Sequence, residues 1–181
     1  MAKNLKEINV VDLESTCWKN ESDQNGQPSE IIEIGIVKLD TYSFEVIRKD
    51  SFLVKPQFSQ VSDFCTELTT ITADMLKDAP SFPETLKMMK KLYDLNDATW
   101  GSYGDYDRVQ MDRNCNLYKV KNPFGRSHIN IKNLFALKNK LEREVGMDTA
   151  IKIIGAILDG THHRGLDDAL NICKIYRSII M

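Results

Sequence analysis

Apolar and polar positions alternate along the first third of the chain and recur at helical spacing along much of the rest. Ile8 to Leu13 alternates as a strand does, with Ile8, Val10, Asp12 and Glu14 on one face. Asn20–Ser29 is rich in Asn, Gly, Ser and Pro and reads as a loop. Glu30–Leu39, β-branched and apolar, reads as a central strand, and Phe44–Val54 as a third. The short connection Asp40–Ser43 predicts a hairpin between these two, and Pro56 ends the run.

Further on the period changes. Ser81-Phe-Pro-Glu84 is a capping box opening a helix through Leu86, Met89, Leu92 and Tyr93. Ala98–Tyr103 predicts a short strand and Asp107–Leu117 a helix. Asn130–Val145 places Ile131, Leu134, Phe135, Leu141 and Val145 on one helical face, with Gly146 as its stop. Asp148 caps an expected helix reaching Leu158, and Gly165–Ile180 forms the last helix. Antiparallel strands followed by helix–strand–helix alternation imply an α/β fold, a mixed sheet flanked by helices. No repeat or linker interrupts the pattern.

The 181 residues suit one domain, 1–181. No segment has the ~20 apolar residues of a membrane span, and the start lacks the apolar core of a secretory signal. No membrane partner and a cytoplasmic location are therefore expected. A net charge of −2 argues against a protein that wraps duplex nucleic acid, though not against one gripping a single strand end. Cys17, Cys65, Cys115 and Cys173 form no Cys-x-x-Cys pair. Reduced, mostly buried thiols are expected rather than a disulfide framework or a zinc site.

The first strand ends in Asp12 and Glu14, ~6–7 Å apart along an extended backbone. At that distance two negative charges repel by roughly 3 kcal/mol at an effective dielectric of ~20. A hard divalent cation is an economical remedy; solvation beyond the strand end is the alternative. Asp105 and Asp107 follow the short fourth strand, either as site carboxylates or as helix caps. His163 and Asp168 are five residues apart, ~140° apart on a continuous helix. Sharing a site would require His163 on a loop, with Gly165 breaking the helix. Four carboxylates and one imidazole suit two-metal phosphodiester hydrolysis with a histidine base.

In order, the segments VVDLEST (10–16) with CW (17–18), EIIEIGIV, CTELTTIT (65–72), GSYGDYDRVQMDRNC (101–115), HINIKNLF and GTHHRGLDDALNI (160–172) resemble the DEDD superfamily of 3′→5′ exonucleases in its His-bearing (DEDDh) branch. The likeness is greatest to the Eri-type exoribonucleases and the bacterial KapD-like proteins. It implies an RNase H-like fold with a mixed five-stranded sheet. It also implies that Asp12, Glu14, Asp107 and Asp168 hold two Mg²⁺ or Mn²⁺ ions, and that His163 is the general base. Products would be nucleoside 5′-monophosphates from the 3′ end of single-stranded RNA or, less favoured, DNA. In the second motif Tyr106-Asp107 with Met111 matches the family pattern, so Asp107 is preferred to Asp105. The resemblance places Thr16, Trp18, Leu68 and Ile71 near the terminal nucleotide. Lys132 and Arg164 are weaker phosphate candidates, and Glu33 is expected to have a structural partner. Tyr103 and Thr70 stand where the family often has Trp and Gly, which bears on substrate fit.

A rival from another class is a catalytically silent regulatory or nucleic-acid-binding protein on the same fold. The full set of catalytic residue types favours the enzyme. A small-molecule metal phosphatase shares the chemistry without the family pattern, and no phosphate-binding G-x4-G-K-[ST] loop is present.

Overall fold

The alternation of Ile8–Leu13 builds β1 (Glu7–Ser15), the central strand of the sheet. The computed structural model describes residues 5–181; residues 1–4, part of the stretch read for a secretory signal, lie outside the described residues. β1 pairs antiparallel with β2 (Ile31–Asp40), which pairs antiparallel with β3 (Val46–Leu53). On its other side β1 runs parallel to β4 (Thr99–Ser102), and β4 parallel to β5 (His128–Asn130). The order β3-β2-β1-β4-β5 is the expected mixed five-stranded sheet.

Side-chain alternation splits the core into two layers. Val11 and Leu13 face α4 (Phe82–Leu92) and α5 (Tyr106–Leu117), in a cluster holding Phe82, Met89, Trp100 and Met111. Ile8 and Val10 face α6 (Ile131–Lys138), α7 (Met147–Ile153) and α8 (Gly165–Ile180), against Phe135, Ala150, Ile172 and Ile175. Asp12 and Glu14 continue the second stripe toward the start of α8.

Five helices escape or depart from the sequence pattern. The loop at 20–29 contains a single helical turn, α1 (Glu21–Gln24). Between Pro56 and Ser81 lie α2 (Asp63–Thr69) and α3 (Ala73–Leu76), capped by the Ser62 and Thr72 hydroxyls and too short to display a period. The helix expected to reach Val145 stops at Lys138. Lys140 takes a left-handed φ of 52°, and the N–H groups of Lys140 and Leu141 return to the carbonyls of Leu137 and Ala136. That is a Schellman stop made without glycine. Gly146 is instead the N-cap of α7, which ends before the left-handed Gly155 rather than at Leu158.

The last helix is seated by two glycines. A Cβ on Gly35 of β2 would fall 2.0 Å from the Gly165 carbonyl carbon, and one on Gly165 would fall 3.1 Å from the Asp12 carbonyl oxygen. This close approach lays the first turn of α8 across β1 and β2 beside Asp12. Gly35→Ala is expected to destabilise the protein by at least about 1–3 kcal/mol through overpacking, read as a lower urea midpoint. An unchanged midpoint would mean that α8 is not seated there. Among the described residues no helix is long and apolar enough to cross a membrane.

Candidate active site

Three distant stretches meet at the C-terminal end of β1. Asp12 and Glu14 come from the strand, Asp107 from the first turn of α5 and Asp168 from the first turn of α8. They line a cavity of about 320 Å³ together with Cys17, Leu68, Tyr103, Tyr106, His162 and His163. Carboxylate oxygens of Asp12, Glu14 and Asp168 all lie within 4.8 Å of one another. Asp107 stands against the same strand, its Oδ1 accepting the Leu13 N–H at 2.9 Å. Asp105 sits outside the cavity, where its carboxylate takes Arg108 Nε at 3.1 Å and Asn130 Nδ2 at 3.3 Å. The carboxylate preferred from the Tyr-Asp pattern is thus the one at the cavity.

The electrostatics follow from burial with no Lys or Arg among the lining residues. Burial and then the Asp107, Glu14 and Asp168 charges hold the Asp12 carboxyl well above the usual carboxylate range. Burial and then the Asp168, Glu33 and Asp107 charges push Glu14 up to about 8. Burial raises Asp107 to about 7, partly offset by the Leu13 N–H. Burial also raises Asp168, against the opposing pull of His162 and the His163 N–H. Such carboxyls bind protons more tightly in the folded than in the unfolded chain. Their stabilisation is complete below the unfolded pKa of ~4 and is lost as pH rises through the folded values. The metal-free protein should therefore lose thermal stability between about pH 5 and 8, at roughly 2–4 °C per kcal/mol. A divalent ion should restore most at the top of that window. Carboxylates held low elsewhere, such as Asp40 and Glu84, lose their contribution only at more acid pH. A midpoint flat from pH 5 to 8 in chelator would contradict this electrostatic picture.

Both histidines of the 162–163 pair face the cavity, their rings stacked at 4.0 Å. His163 has a left-handed φ of 64°, so the chain reverses there, and its N–H donates to Asp168 Oδ2 at 2.9 Å. This supplies the helix break that a shared site requires. The sequence reading did not anticipate His162, whose Nδ1 lies 3.1 and 3.2 Å from the two Asp168 oxygens. Burial and then the charge of His162 lower the His163 pKa. Tyr103, expected to bear on substrate fit, also lines the cavity, with Cys17 of the first matched segment and Tyr106 of the second motif. The strand-end position after β4 is a usable signal for the tyrosines.

The residues expected near the terminal nucleotide divide into two groups. Leu68 is exposed at the cavity, and Trp18 lines a neighbouring depression. The side chains of Thr16 and Ile71 are fully buried. The Thr16 hydroxyl accepts the Glu30 N–H at 2.9 Å and meets Ser59 Oγ, while Ile71 fills a core with Ile32 and Cys65. Arg164, one of the weaker phosphate candidates, is engaged within the fold. Its guanidinium donates to both oxygens of buried Glu33, at 3.1 and 3.2 Å, and the Gly165 N–H joins them at 2.9 Å. Glu33 thereby has the structural partner expected of it. Lys132 pairs with Glu144 at 3.3 Å. Cys65, Cys115 and Cys173 are buried free thiols, and Cys17 is half-buried.

Comparison with known proteins places this geometry. The profile of the exonuclease family (RNase T) matches residues 10–176. The chain is 33% identical over 184 residues to human "3'-5' exoribonuclease 1", covering 93% of this chain and 50% of that protein. It is 28% identical over 176 residues to the "Probable 3'-5' exonuclease KapD" of Bacillus subtilis, covering 94% and 82%. It spans about half the length of the rat, human and mouse relatives it matches. Among solved structures, the nuclease domain of 3'hExo, described as a DEDDh family member bound to rAMP, superposes with a TM-score of 0.86 at 31% identity, over 98% of this chain and 93% of that one. A related 3′-exonuclease, described as recognising a histone mRNA stem-loop, gives 0.83 at 29% identity, over 97% and 63%. With its fold, its residue order and its profile match in agreement, the chain belongs to the DEDDh branch of the exonuclease family.

Proposed function

We propose that residues 1–181 form one metal-dependent 3′→5′ exonuclease domain. It hydrolyses single-stranded nucleic acid, RNA in preference to DNA, to nucleoside 5′-monophosphates. The observation that carries this reading is the convergence of four carboxylates from three chain segments, with imidazoles at their edge. RNA is favoured because the names of the relatives specify exoribonuclease and rAMP.

The donor set fits hard divalent cations. It is all oxygen, and its members raise one another's pKa with no Lys or Arg among the cavity's lining residues. Asp12, Glu14, Asp107 and Asp168 would hold two Mg²⁺ or Mn²⁺ ions. Bound there, the ions supply positive charge to the reacting phosphate and acidify water. His163 is the general base: its lowered pKa keeps the ring neutral at working pH, ready to take a proton from the attacking water. The His163 N–H and the His162 ring orient Asp168. Leu68 and Trp18 offer apolar surface to the terminal nucleotide, in keeping with recognition of single strands by shape and stacking.

Incubation of 5′-labelled single-stranded RNA with the protein and Mn²⁺ or Mg²⁺ should give a ladder shortening from the 3′ end, abolished by chelator. No shortening of RNA or DNA with either ion would overturn the proposal in favour of a silent binding protein.

A further inference from the structure

A second cavity, of about 470 Å³, lies beside the first turns of α5. His128 lines it, and His128 Nε2 lies 2.9 Å from the hydroxyl of Ser102, a side chain that also helps hold the Asp107 pKa down. The cavity is cationic. Arg108, Lys121 and Arg126 line it against a single acid, Asp112, which is already engaged by Asn122 Nδ2 at 2.7 Å. Arg108 is paired with Asp105. Lys121 and Arg126 are exposed and form no ion pair among the described residues. The segment Tyr106–His128 holds five Lys or Arg against two Asp, one of them the buried Asp107, in a chain whose net charge is −2. Positive charge is thus concentrated beside a cavity that gathers buried carboxylates, where a polyanionic substrate needs a counter-charge.

The floor decides what part of a strand fits. Trp100 and Phe124 form it, with ring centroids 4.6 Å apart, but they are only 2% and 7% exposed. Neither presents a free face for a base to stack on. The accessible chemistry is that of cationic side chains, which suits phosphodiester oxygens and carries no base preference.

Resting on the exonuclease reading above, we propose that this cavity is a phosphate-binding subsite for the substrate strand upstream of its 3′ end, with Lys121 and Arg126 as its principal cations. It would anchor the strand while the terminal nucleotide occupies the carboxylate cavity. The contribution is to binding, so it should appear in KM and in salt dependence, not in kcat.

The test is the double variant K121E/R126E, assayed on two substrates. One is a single-stranded RNA of about ten nucleotides, long enough to fill both cavities. The other is a p-nitrophenyl ester of a nucleoside 5′-monophosphate, which has no upstream phosphate. The variant should raise KM for the RNA roughly tenfold with kcat retained. It should also flatten the slope of log(kcat/KM) against log salt by about 0.7 for each lost contact. Turnover of the ester should be unchanged, which also reports an intact fold. An unchanged KM and slope for the RNA would overturn the subsite and leave the exonuclease reading standing. If the parent protein turns over neither substrate, that reading fails by itself. The subsite is then judged by fluorescence anisotropy of the labelled RNA in chelator, where equal affinity of parent and variant would refute it.

Discussion

Asp107→Asn should lower kcat on single-stranded RNA by at least roughly 10²–10³-fold, as removal of one transition-state-stabilising group does, while Asp105→Asn should leave turnover near that of the parent. The two residues are neighbours in sequence with different surroundings. Asp107 is 5% exposed and lines the cavity; the Asp105 side chain is 56% exposed and spent on Arg108 and Asn130. Asparagine is the informative replacement because its Oδ1 still accepts the Leu13 N–H, so the link between α5 and β1 is kept. It also removes one of the charges raising the Asp12 pKa. The dead variant should therefore be at least as stable as the parent in chelator and gain less stability from Mn²⁺. Loss of activity on Asp105→Asn alone would reassign the second-motif carboxylate.

His163→Ala should cut kcat by roughly 10²–10⁴-fold, the usual worth of a positioned general base, and leave Mn²⁺ binding nearly intact. The parent's rate should rise with pH on an acid limb lying below the ordinary histidine value, because burial and then the charge of His162 hold the His163 pKa down. A base works when neutral, and a lowered pKa keeps it neutral further into acid. His163→Ala should remove that limb. His162→Ala is the necessary companion, since the His162 ring contacts Asp168 directly and His163 does so through its backbone N–H. It should weaken metal affinity by freeing Asp168 and keep the limb. If His162→Ala removed the limb while His163→Ala kept it, the base would be His162.

Much of this arrangement was legible along the chain. The period-2 stripe of Ile8, Val10, Asp12 and Glu14 placed two carboxylates on one face at a strand end. Gly165–Ile180 has the bounds expected for α8, with a helix break just before it. What escaped depends on contacts between distant residues or on local geometry with no compositional mark. β5 is three residues long, too short for alternation to show. The Schellman stop at Lys140 uses a lysine where a glycine would have announced it. Thr16 and Ile71 lie within motifs that reach the site, yet their side chains turn into the core. Arg164 and Glu33 are separated by 131 positions, so nothing local tells that the arginine is already occupied. The contact of His162 with Asp168 accompanies a chain reversal at left-handed His163, a backbone state that a non-glycine sequence does not advertise.

The most direct test of a carboxylate cage for divalent ions is anomalous diffraction from crystals soaked with Mn²⁺ and a nucleoside 5′-monophosphate. The account predicts two peaks ~3.5–4 Å apart, contacted by Asp12, Glu14, Asp107 and Asp168, with the nucleotide phosphate against them. Manganese bound elsewhere, or these carboxylates free of metal at saturating Mn²⁺, would contradict it.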